Sequence, residues 1–68
     1  PEIACFEDLL VEIGRRYGSN MPPLIWDASR VRFTHHVLAV KGFKHITDLK
    51  EPLNKGEEIK FYLIMLGG

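Results

Sequence analysis

With only one cysteine, Cys5, the chain cannot close a disulfide within itself, and a reducing cytoplasm is the compartment this suits best. The acidic neighbours Glu2, Glu7 and Asp8 deny the thiol the electropositive setting that a reactive cysteine needs, so Cys5 reads as structural. Net charge is missing as well. Nine Lys and Arg balance nine Asp and Glu, which removes any global pull toward nucleic acid. No apolar run approaches the length that spans a bilayer, and no signal-peptide pattern is present. Repeats and low-complexity tracts are absent. At 68 residues the sequence allows one domain, covering 1–68, of the size at which stability is marginal. A composition 46% hydrophobic and 26% charged places it with globular chains rather than disordered ones.

Helical periodicity is the firmest signal present. Over Pro1 to Tyr17, the residues Phe6, Leu9, Leu10, Ile13 and Tyr17 recur at spacings that stack them on one face. Glu2, Glu7 and Asp8 come early and Arg15 and Arg16 late, the order the helix dipole favours, and Gly18 is positioned as a left-handed stop. Met21 to Thr34 reads as irregular, because Pro22-Pro23 blocks a helix and no alternation lasts. His36 to Val40 reads as a strand closed by a turn at Lys41-Gly42, with a short returning segment within Phe43 to Leu49. Pro52 to Glu57 is a loop turning at Asn54 to Gly56. Glu58 to Leu66 is a final strand, with Ile59, Phe61, Leu63 and Met65 on one face and Lys60, Tyr62, Ile64 and Leu66 on the other. That second face starts polar and turns apolar, which implies that something covers its far end.

Several residue groups admit a chemical reading and a plainer one. His35-His36 with His45 suggests a metal site. Neighbours on a strand point to opposite faces, so a surface role is favoured and no metal is assigned. Arg15, Arg16, Arg30 and Arg32 could form a basic patch, but nothing in the spacing gathers them. Trp26 could anchor a partner, while a core position is the simpler expectation. No nucleophile–base arrangement is evident.

The second half of the chain carries a resemblance. His36-Val37-Leu38-Ala39-Val40-Lys41-Gly42, then Leu49, then Glu51-Pro52-Leu53-Asn54-Lys55-Gly56-Glu57-Glu58-Ile59-Lys60-Phe61, then Gly67-Gly68, resembles the small subunit of molybdopterin synthase and the related ubiquitin-like sulfur carriers. Lys41-Gly42 stands for that family's Asn-Gly, and Pro52 to Ile59 for its Pro-Leu-x-x-Gly-Asp-Glu-Val turn. The helix before them also matches. The resemblance implies an α+β fold of the β-grasp, ubiquitin-like type, with a small mixed sheet packed on one main helix. Two departures stand out. The family's proline shortly before the tail is replaced by Phe61-Tyr62-Leu63-Ile64-Met65-Leu66, closer to ubiquitin-related modifiers. The hairpin that opens the family fold is also missing before the helix. A helix starting at Pro1 without a cap, and a last strand without its outer neighbour, imply a truncated or divergent member; the rival is a complete domain of another α+β design.

The function implied is that of a carrier, or of the small subunit of a sulfurtransferase complex, rather than a stand-alone catalyst. Gly68 would supply the reacting C-terminal carboxyl. Gly67, Leu66, Ile64 and Tyr62 would contact partners, since a tail without Cβ atoms can thread a narrow channel. An adenylating enzyme of the ubiquitin-activating type would use ATP to form an acyl-adenylate on Gly68, and a sulfur donor would displace AMP and leave a thiocarboxylate. An acceptor such as the molybdopterin-synthase large subunit would take the sulfur. No cofactor would be held stably by this chain, and neither nucleic acid nor membrane would be a partner. The exposed last strand would invite self-association. A ubiquitin-like protein modifier and a regulatory β-grasp interaction domain of a larger chain are the alternatives.

Overall fold

Among the described residues one α-helix, α1, runs from Phe6 to Tyr17, starting five residues later than the periodicity alone predicts. The computed structural model describes residues 2–64, and within it Glu2 to Ala4 are not helical. The helix is capped. Cys5 takes extended N-cap geometry, and the Asp8 carboxylate accepts the Ala4 N–H at 3.0 Å and the Cys5 N–H at 3.3 Å, meeting backbone donors that a helix start leaves open. The residues just before α1 are held by a distant segment. Phe6 N–H donates to Glu51 O at 2.9 Å, Leu53 N–H donates to Ala4 O at 3.0 Å, and Cys5 bridges Pro52. The expectation of an uncapped helix is therefore overturned.

Gly18 also departs from expectation. Its φ is −56°, ordinary right-handed geometry, and a 3-10 turn over Gly18–Asn20 follows α1. Glycine is needed there for space instead. A Cβ on Gly18 would lie 3.2 Å from the Trp26 indole nitrogen, and one on Gly14 would lie 2.9 Å from Trp26 Cζ2. Trp26 lies across these two residues and is only 4% exposed. The face of the helix turned to the core accordingly runs through buried Phe6 and Leu10 to half-buried Gly14, with Gly18 just past its end. Leu9 and Ile13 flank it half-buried, while Tyr17, expected on the core face, is exposed.

The segment read as irregular holds a short hairpin. β1, Trp26–Asp27, pairs antiparallel with β2, Arg32–Phe33. Between them Asp27 accepts Ser29 N–H at 3.1 Å, Ser29 Oγ–H at 2.8 Å and Arg30 N–H at 3.2 Å, an Asx-type turn. Val31 then reverses the chain at φ +55°. The second sheet has the order β4-β3-β5, from β3 (Val37–Lys41), β4 (Lys44–His45) and β5 (Ile59–Leu63). Gly42, at φ +64°, occupies the first position of the two-residue turn from β3 to β4, where a left-handed residue matches strand twist. Both pairings of β3 are antiparallel. The fold is α+β, and among the described residues no parallel pair occurs, so the expected mixed sheet is not found there.

The core joins the layers through Phe6 and Leu10 of α1, Trp26 of β1, Ala39 of β3, and Ile46. Trp26 and Phe33 meet edge to face at 4.9 Å, and Phe33 stacks obliquely on Phe61 at the same separation, spacings at which aromatic pairs attract beyond area burial. The described part of the chain thus has a core of few residues, as its length allows.

Candidate functional site

The residues expected to meet partners begin on β5. Its register sets Leu38 opposite Tyr62, Ala39 opposite Phe61 and Val40 opposite Lys60. Paired residues share a face, so Ala39, Phe61, Ile59 and Leu63 point to the α1 side. Leu38, Val40, Lys60 and Tyr62 form the outer side. The alternation read from the sequence is the alternation observed. Tyr62 is 49% exposed beside half-buried Leu38. Ile64, half-buried, donates its N–H to His36 O at 2.7 Å and so prolongs the ladder past β5. Tyr62, Leu38, Val40 and Ile64 therefore make one apolar outer strip. Leu66, Gly67 and Gly68, the remaining expected site residues, lie outside the described residues, as does Met65.

The inner face of β5 is covered only in part. Ile59 packs against the core, but Leu63 on the same face is 55% exposed. Among the described residues β5 has one strand neighbour, β3, and its other edge is open. An edge with unpaired backbone groups and exposed apolar side chains is the form that accepts another strand.

The charged residues are largely committed to holding the frame. Glu51, 8% exposed, receives Lys41 Nζ at 2.8 Å and Lys44 Nζ at 2.9 Å, and these two lysines hold its carboxyl below the ordinary range. Lys41 also donates to Pro52 O at 2.9 Å, tying the β3–β4 hairpin to the segment that pairs with the start of α1. Arg15 forks onto Glu12 through Nε at 3.1 Å and Nη2 at 2.6 Å, Arg16 donates to it through Nε at 2.6 Å, and together they hold that carboxyl down to about 2. The basic patch is not assembled: Arg15 and Arg16 serve Glu12, and Arg30 leans toward Asp27 at 3.8 Å. His35 and His36 sit in a turn before β3, not on a strand, with ring centroids 4.1 Å apart. The opposite-faces argument against chelation fails at that pair. Among the described residues, no three His, Cys, Asp or Glu side chains gather as metal ligands do. No described helix is long and apolar enough to cross a membrane.

Two features escaped the sequence reading. Phe43, at the tip of the β3–β4 hairpin, is fully exposed; an aromatic inside Lys41-Gly42-Phe43-Lys44 was a readable sign, since turn tips rarely bury a ring. The other is Arg32, whose Nε is shut off from solvent with no acceptor among the described residues, an arrangement that costs about 1–3 kcal/mol where a buried donor stays unmatched. No local pattern announces that one. Comparison of the chain with protein-family models, with curated proteins and with solved structures returned no match.

Proposed function

We propose that this chain is a β-grasp sulfur carrier of the cytoplasm, whose Gly68 carboxyl is adenylated by a partner enzyme at the expense of ATP and converted to a thiocarboxylate. The observation that carries the proposal is the course of β5. It lies antiparallel beside β3, the neighbour a β-grasp sheet gives to its final strand, and it leads directly toward Gly67-Gly68. Exposed Tyr62 and half-buried Ile64 stand just before that tail, where an adenylating enzyme or a sulfur acceptor such as a molybdopterin-synthase large subunit would dock. In the proposed chemistry the Gly68 carboxylate attacks the α-phosphorus of ATP and releases pyrophosphate. Hydrosulfide from a donor then attacks the acyl carbon and releases AMP. Adenylation supplies the leaving group, and every acid–base step belongs to the partner, so this chain contributes the carboxyl and the docking strip. The proposal requires Gly68 to end the functional chain.

The test is ATP–pyrophosphate exchange by the cognate adenylating enzyme. The 68-residue chain should support it, and a chain ending at Gly67, folded equally well, should not. Equal exchange with both would refute the role of Gly68. A second reading, an interaction domain, is favoured by one observation: Phe43 is fully exposed at a hairpin tip whose surroundings include Glu58 and Lys60, at the end of β5 away from the tail. Carrier chemistry gives that ring no task.

A further inference from the structure

Which backbone groups of β5 face its open edge follows from the ladder. In an antiparallel pair, hydrogen-bonded and non-bonded residue pairs alternate. Ile64 donates its N–H to His36 O at 2.7 Å, so Tyr62 and Lys60, in step with it, turn their N–H and C=O toward β3. Ala39 agrees. Opposite Phe61 in the register, it turns its C=O the other way, to the Ile46 N–H at 2.9 Å. The N–H and C=O of Ile59, Phe61 and Leu63 therefore point to the free side of β5, where among the described residues no strand meets them. Side chains at this edge are apolar and only partly covered: Phe61 is 37% exposed and Leu63 55%.

These groups fit a second copy of the same strand. A two-fold axis through Phe61 sets Phe61 against Phe61 and Ile59 against Leu63, each pair exchanging both of its hydrogen bonds, so every outward residue of β5 is matched. On the α1 face this register lays apolar side chain against apolar side chain, and it brings the Phe33–Phe61 stack of each copy to the axis. On the outer face Lys60 stands opposite Tyr62, and no like charges meet. Neighbouring registers do worse. An axis through Lys60 sets two lysines face to face and Leu63 against Glu57. An axis through Tyr62 sets Ile59 against Met65, beyond β5. The far edge of the sheet offers no second joint, because β4 is only Lys44–His45, both exposed and polar, a short charged edge of the kind that discourages pairing. We propose that two copies of this chain close into a two-fold dimer through β5, in the register centred on Phe61. The result is one continuous sheet of order β4-β3-β5-β5-β3-β4, and the pairing stops at two. It stands independently of the carrier proposal, because it uses the backbone edge of β5 and not Gly68.

The test joins sedimentation equilibrium with isotope-filtered NMR on a mixture of labelled and unlabelled chain. Sedimentation should fit a monomer–dimer equilibrium with a Kd on the order of 100 µM, as so short an interface implies, and no larger species. The NMR should show Lys60 Hα against Tyr62 Hα of the other copy, the close approach of a non-bonded antiparallel pair. Leu63→Pro deletes an N–H that serves only the free edge, where proline is tolerated, and should weaken the dimer at least about tenfold. A chain that stays monomeric well above that concentration, assembly beyond two copies, a Lys60–Lys60 or Tyr62–Tyr62 contact in place of Lys60–Tyr62, or undiminished pairing by Leu63→Pro would each overturn the proposal. Should Leu63→Pro fail to fold, sedimentation and the filtered contacts of the unaltered chain decide alone.

Discussion

Trp26 meets α1 at Gly14 and Gly18, where an added methyl would stand 2.9 Å and 3.2 Å from the indole. Helix propensity alone favours alanine over glycine by about 1 kcal/mol, so Gly14→Ala should stabilise an unobstructed helix. Against the fused ring, overpacking costs roughly 1–3 kcal/mol, and the contact on Gly14 is backed by Val31 at 3.1 Å. Gly14→Ala is therefore expected to lower the melting temperature and shift tryptophan emission to the red. A higher melting temperature with unchanged emission would remove the indole from that groove. Phe43 is the opposite case. Exposed at its turn, it supports no packing, so Phe43→Ser should leave stability within about 0.5 kcal/mol, as thermal melts would show. A larger loss would mean the ring is not free.

At the scale of elements, the outer strip of β5 is where binding and folding separate. Tyr62 faces Leu38 across the β3–β5 pair, a contact worth at most about 1 kcal/mol. Tyr62→Asp should therefore cost folding little and docking much, and Ile64→Asp should weaken partner binding by several kcal/mol, because a charge in an apolar interface is that costly. Calorimetry of binding beside thermal melts would separate the effects; equal losses for Ile64→Asp would make that residue part of the core. Some of these elements were legible and others were not. The α1 stripe, the strand at β3, the β5 alternation and the turn at Gly56 (φ +88°) follow from local patterns of period, apolar runs and glycine. The start of α1 does not. Cysteine is no common cap, and that boundary is fixed by pairing with Glu51 and Leu53, far along the chain. The β1–β2 hairpin has only two residues per strand, too few for alternation, and exists because Trp26 and Phe33 share one aromatic contact. The burial of the Arg32 Nε likewise comes from tertiary packing, which spacing cannot report.

For the molecule as a whole, charge and edge set the behaviour. Asp8, Glu12, Asp27 and Glu51 all have carboxyls held below their ordinary values, by the Ala4 amide, Arg15, Ser29 and Lys41 foremost, respectively. A carboxyl whose folded pKa lies below its unfolded one adds stability that is present above the unfolded value and lost as pH falls through the folded one. For Glu12 that window runs from 4.5 down to about 2. The melting temperature should hold near neutrality and drop as pH falls through this range. Glu51→Gln should start lower and fall less steeply; an unchanged acid slope would contradict the Lys41–Glu51–Lys44 pairing. The open side of β5 and exposed Leu63 favour pairing between copies, so sedimentation should depend on concentration and Leu63→Lys should reduce that dependence. The functional proposal rests on Gly68, and the most direct measurement is the intact mass of the chain after incubation with a candidate adenylating enzyme, ATP and sulfide. A sulfur carrier gains the mass of one oxygen-to-sulfur exchange, located on the C-terminal peptide and absent when Gly68 is deleted. An unchanged mass under conditions where the enzyme forms the adenylate, or an exchange that survives loss of Gly68, would contradict it.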